Sequence, residues 1–125
     1  MTAESGRIRP QDLLRVTSHH FDDTEDTVLL EVSGEVDLHS ASVLEEAVTA
    51  ALARTPALLV VDLTDVSFLA SIGITVLLEA RRVAEARTQI RVVAAERGVV
   101  ERTLQLTGVH DALGVVPSRA DALIR

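Results

Sequence analysis

Few side chains in this sequence can do chemistry. Cysteine and lysine are both absent, and all 12 residues counted as Lys or Arg are arginine. Without cysteine there is no thiolate nucleophile, disulfide framework or thiolate metal site, although the redox compartment stays open. Without lysine or a GxxxxGK[ST] stretch there is no phosphate-cradling loop, so any ATP chemistry belongs to a partner. Serines, four histidines and carboxylates remain. His19 and His20 stand beside Asp22 and Asp23, but adjacent strand positions face opposite ways and share one ion poorly, which favours a solvated hairpin loop. Asp62 and Asp65 flank Leu63 and Thr64, a spacing that suits Mg2+ in a phosphoacceptor site and equally suits capping of a turn. Ser71 with His110 or His39 invites a hydrolase reading, yet FLASIGI lacks the glycine two residues before serine that a nucleophile elbow needs. No metal and no cofactor is expected.

Ser71 holds a different promise. It follows the apolar run LLVVD (residues 58–62) and opens a stretch in which Gly73, Val76, Leu77, Ala80, Val83 and Ala84 recur at helical spacing. Thr75, Glu79 and Arg82 fall on another face. The pattern predicts a strand buried on both faces, a turn and an amphipathic helix with Ser71 as N-cap. A phosphate on that hydroxyl would add roughly 1.5 to 2 negative charges at the positive end of the helix dipole. The helix could carry that charge, but an acidic or apolar partner docked over the turn could not. Phe68, Leu69 and Ile72 would be the apolar contacts, with Leu69 assigned to the core.

The remaining elements follow in order. Residues 1–12 are expected as a mobile tail and residues 13–18 as an edge strand. Residues 19–26 form a polar, acidic connection. In residues 27–33, Val28, Leu30 and Val32 share a face, which predicts a strand pairing back on the first. Gly34, Glu35, Val36 and Asp37 follow, and Asp37 alone reads as a turn aspartate bonding its own backbone. Ser42 and Glu45 have capping-box spacing before the stripe Leu44, Ala47, Val48, Ala51, Leu52, which Pro56 ends. Residues 88–95 predict a further strand and residues 98–107 a helix stopped by Gly108. Val115 and Val116 suggest a last short strand, and Ser118 with Asp121 a last helix cap. Helices between strands imply crossover units and a mixed sheet.

Two segments carry a family resemblance. LTDVSFLASIGITVLLEARR is similar to the stretch in STAS-domain anti-sigma factor antagonists where an aspartate, a phosphorylatable serine, a second serine and a glycine open a helix behind a strand ending in aspartate. GEVD resembles the signature after their second strand. The match sets Ser71 at the phosphorylatable position, Gly73 at the glycine, Asp62 at the strand end and Asp37 close to Ser71. Ala70 and Ile72 depart, standing where the family usually has aspartate and often serine. The resemblance spans residues 27–123.

It implies an α/β fold: one STAS-like domain over residues 1–125, a mixed four- to five-stranded sheet and about four helices mainly on one face. It also implies partner switching. The unphosphorylated form would bind an anti-sigma factor with serine kinase activity and so free a sigma factor, and phosphorylation of Ser71 would end binding. Asp37, Phe68, Ala70, Ile72, Gly73 and Thr75 would line the contact. The alternative is a STAS-type scaffold or sensor that is not phospho-regulated. Either would be a bacterial stress-response or transcription regulator rather than an enzyme, a monomer or weak dimer.

Composition agrees with a folded, non-nucleic-acid protein. The chain has 125 residues, a hydrophobic fraction of 47% and a net charge of −7, with two phenylalanines and no Trp or Tyr. That length suits one domain. The charge repels a phosphate backbone, and bases would find almost nothing to stack on. No signal-peptide core or long apolar span is present, which predicts a cytoplasmic protein.

Overall fold

A computed structural model describes residues 9–20 and 26–124. Its elements are α1 (Pro10–Leu13), β1 (Leu14–His20), β2 (Thr27–Val36), α2 (Ala41–Ala53), β3 (Leu58–Leu69), α3 (Ser71–Ala84), β4 (Gln89–Val93), α4 (Val99–Leu106), β5 (Val115–Val116) and α5 (Arg119–Leu123). The five strands form one mixed sheet in sequence order. β1 pairs antiparallel with β2, and β2, β3, β4 and β5 run parallel.

Period-two alternation divides the sheet residues between two faces. Val28, Leu30, Val32, Leu59, Val61, Leu63, Ile90 and Val92 face the main core, where α2, α3 and α4 bury Leu44, Val48, Leu77 and Leu104. Leu29, Leu58, Val60 and Val93 face the other way, and Ala122 of α5 joins them in a small second cluster. The helices therefore pack mainly on one face, as expected from the sequence.

Several boundaries differ from the sequence reading. Pro10 to Leu13 form a helical turn instead of tail, and the rest of the expected tail, residues 1–8, lies outside the described residues. His19 and His20 belong to β1, not to the connection, because β1 pairs with β2 as far as His20↔Val28. Residues 21–25 of that connection, with Asp22 and Asp23, are outside the described residues. β3 does not end at Asp62 but runs seven residues further. Val83, placed on the core stripe, is 56% exposed, and Ile74 is buried in its stead.

Candidate functional site

Parallel strands deliver their C-terminal ends, and the helices that follow, to one edge of the sheet. β2 and β3 remain paired to their last residues, Val36↔Leu69, and Ala70 N then donates to Val36 O at 2.8 Å. That bond holds Ala70 extended (φ −80, ψ 165) and makes it the N-cap of α3, with Gly73 N and Ile74 N donating to its carbonyl. Ser71 is thus the first helical residue and not the cap. Its hydroxyl is exposed and has no hydrogen-bond partner among the described residues, while its carbonyl accepts from Thr75 Oγ1 at 3.1 Å.

The surroundings of Ser71 follow from two irregularities in β3. The β2–β3 register slips between Glu31 and Ser33 and again between Gly34 and Glu35, each slip adding one residue to β3. Burial beyond Leu63 consequently repeats every three residues, at Leu63, Val66 and Leu69, and the second bulge turns Ser67 and Phe68 outward. Phe68 is 49% exposed and Leu69 is core. Ile72 is half-buried against the main core. Ala70 is half-buried and Thr75 exposed.

Gly73 is buried. A Cβ there would lie 2.6 Å from Val36 Cγ1 and 2.7 Å from Leu69 Cδ1. Its part is to seat the first turn of α3 on the two strands; a partner cannot touch it from outside.

Asp37 follows Val36 at the same edge. Its Oδ1 accepts from His39 N (2.8 Å), Ser40 N (3.1 Å) and Ser40 Oγ (3.3 Å). Partial desolvation pushes its pKa up, but these bonds outweigh that and hold the carboxylate below its ordinary range. Ser40, absent from the sequence reading, is the N-cap of α2; the expected cap Ser42 lies exposed one residue inside the helix. The difference arises because Asp37 O accepts from both Ser40 N and Ala41 N and starts the helix earlier. Between Asp37 and Ser40 the turn lifts Leu38 into solvent, 77% exposed. Leu38 was also missed; its signal was an apolar residue alone inside a polar D-x-H-S turn.

The other candidates lie elsewhere. Asp62, 5% exposed, accepts from Thr64 N at 2.9 Å, from Thr64 Oγ1 and from Arg119 Nε, while Arg119 Nη2 donates to Glu31, the residue opposite Asp62. Desolvation raises the Asp62 pKa, yet the hydroxyl, guanidinium and amide bonds prevail and lower it. Asp65 is exposed. His19 bonds Glu31 and His20 bonds Ser18, so the two rings do face apart. His110 lies against Glu101 and Asp111, and among the described residues no histidine bonds the Ser71 hydroxyl.

A chain of this topology, with an exposed serine opening the helix after its third strand, matches the STAS domain family over residues 20–122. The chain belongs to that family. It is 34% identical over 102 residues to the anti-sigma-F factor antagonist RsfB of Mycobacterium tuberculosis, covering 81% of this chain and 82% of that protein. A crystal structure of an anti-sigma factor antagonist from Mycobacterium paratuberculosis superposes with a TM-score of 0.80 at 31% identity, covering 93% of this chain and 96% of the other. The anti-sigma factor antagonist SpoIIAA in its unphosphorylated form shares the fold, with a TM-score of 0.61 at 18% identity over 86% of this chain and 92% of its own.

Proposed function

We propose that this STAS protein is an anti-sigma factor antagonist that works by partner switching. Unphosphorylated, it binds an anti-sigma factor with serine kinase activity and releases the sigma factor that the kinase had held. Phosphorylation at Ser71 ends that binding. The protein is cytoplasmic and turns over no substrate of its own; no helix among the described residues is long and apolar enough to cross a membrane.

The observation that carries this reading is the placement of Ser71: exposed, unbonded through its hydroxyl among the described residues, and at the same sheet edge as the exposed apolar side chains Leu38 and Phe68. A partner settling on those two side chains covers the serine. No acidic or basic residue stands in the first turn of α3. A phosphate there gains from the helix dipole in the free protein, but in the complex it must be desolvated without a cation from its own helical turn. A loss of about 4 kcal/mol weakens binding roughly a thousandfold.

The test is to incubate the protein with a candidate kinase anti-sigma factor and ATP and to map phosphate by mass spectrometry. Modification at Ser71 that Ser71→Ala abolishes supports the switch. Stable binding with no serine modified points to the scaffold reading instead.

A further inference from the structure

β2 and β3 are parallel, so the helices that follow them, α2 and α3, leave the same edge of the sheet and run side by side. Each turns a narrow strip toward the other at three- and four-residue spacing: Glu45, Val48 and Leu52 on α2, and Val76, Glu79, Ala80 and Val83 on α3. Between the strips lies a groove of about 350 Å3. Val48, Val76 and Ala80 form its floor and are at most 8% exposed, whereas Leu52 is half-buried and Val83 is 56% exposed. The floor is thus sealed from below, and the two larger side chains stand as walls.

The dimensions of the groove select a small molecule over a segment of protein. Its lining runs from Glu45 to Leu52 and from Val76 to Val83, about 10 Å along each helix at roughly 1.5 Å per residue. A volume of about 350 Å3 over that length gives a cross-section of about 35 Å2. That is room for an alkyl chain or one aromatic ring, but not for a helix of roughly 10 Å diameter. The charge of the lining then selects the sign of the occupant. Glu45 and Glu79 are the only charged side chains that line the groove. Glu79 is paired with Arg82, while the Glu45 carboxylate has no ion-pair or hydrogen-bond partner among the described residues. One uncompensated carboxylate therefore stands at the end of an apolar slot.

We propose that the groove between α2 and α3 binds a small amphiphilic amine. Its apolar body lies on Val48, Val76 and Ala80 between the walls Leu52 and Val83, and its ammonium group meets the Glu45 carboxylate. No residue of the Ser71 turn lines the groove, so the proposal stands whether or not that serine is modified.

The probes are octylamine, octan-1-ol and octanoate, which share an apolar chain and differ in charge, titrated at neutral pH into the 15N-labelled protein. Octylamine should shift the amides of Val48, Leu52, Ala80 and Val83 saturably. It should bind about tenfold more tightly than octanoate, with octan-1-ol between them. Glu45→Gln should narrow that ratio to below about threefold while leaving octan-1-ol binding unchanged. Ser71→Glu should bind all three like wild type. Absence of saturable shifts, or shifts confined to other elements, overturns the proposal and leaves the groove to a protein contact. Equal binding of octylamine and octanoate also overturns it, by marking an apolar groove without charge selection. Because the three probes are compared on the unaltered protein, a poorly folded Glu45→Gln variant does not weaken the test.

Discussion

Gly73 shows how narrowly the Ser71 turn is built. A methyl group there would meet Val36 and Leu69 well inside contact distance, so α3 could seat only by shifting its first turn. Gly73→Ala is therefore expected to cost about 1–3 kcal/mol in chemical denaturation, as overpacked sites do, and to weaken partner binding with it. Leu38 and Phe68 should behave in the opposite way. Both are exposed, so Leu38→Ala and Phe68→Ala should leave the denaturation midpoint within error while each weakens anti-sigma factor binding about tenfold, near 1.4 kcal/mol. Calorimetric titration beside a melt separates the two classes. The resemblance carried by LTDVSFLASIGITVLLEARR made Ser71 and Gly73 readable, where residue type alone gave Ser71 only as an N-cap. Neither gave Leu38, whose exposure depends on the Asp37–Ser40 turn, nor settled Phe68, whose direction is set by a bulge that no period in the sequence announces.

At the scale of elements, α5 is held to the sheet by charge as well as by Ala122. Arg119 spans Glu31 and Asp62, and Asp62 is almost wholly buried. Its folded pKa lies below the ordinary 3.8, so its stabilising contribution is complete above that value and is lost as pH falls through the lower, folded value. Wild-type melting temperature should drop below about pH 4 more steeply than that of Asp62→Asn, measured by thermal melts from pH 6 to pH 2. A second prediction concerns the end of α3. Glu85 adopts φ 48 and ψ −124, a region that Cβ-bearing residues avoid. Glu85→Gly relieves that strain and should stabilise the fold by about 1 kcal/mol, read as a higher denaturation midpoint. Strand and helix order were readable from periodicity, as α2, α3 and α4 show. The caps were less so: Ser118 caps α5 as its spacing suggested, with Asp121 N donating to it at 3.1 Å, whereas Ser42 yielded to backbone bonds within the turn from Asp37 to Ala41 and Ser71 to the bond between Ala70 N and Val36 O of β2.

Across the molecule, α2, α3 and α4 cover one face of the sheet, and the C-terminal ends of β2 and β3 gather the candidate site at one edge. That edge presents an exposed serine together with solvent-facing leucine and phenylalanine. The parallel order β2–β5 brings Asp37 and Ser71 to a single edge although 33 residues separate them in sequence, which is why the GEVD and FLASIGI segments could be read as one site. The central claim is that charge on one hydroxyl governs docking. The direct measurement is the dissociation constant of the kinase anti-sigma factor for this protein, unmodified and quantitatively phosphorylated at Ser71, by calorimetry in one buffer. The account predicts weakening of about a thousandfold, near 4 kcal/mol; equal constants for the two forms would contradict it.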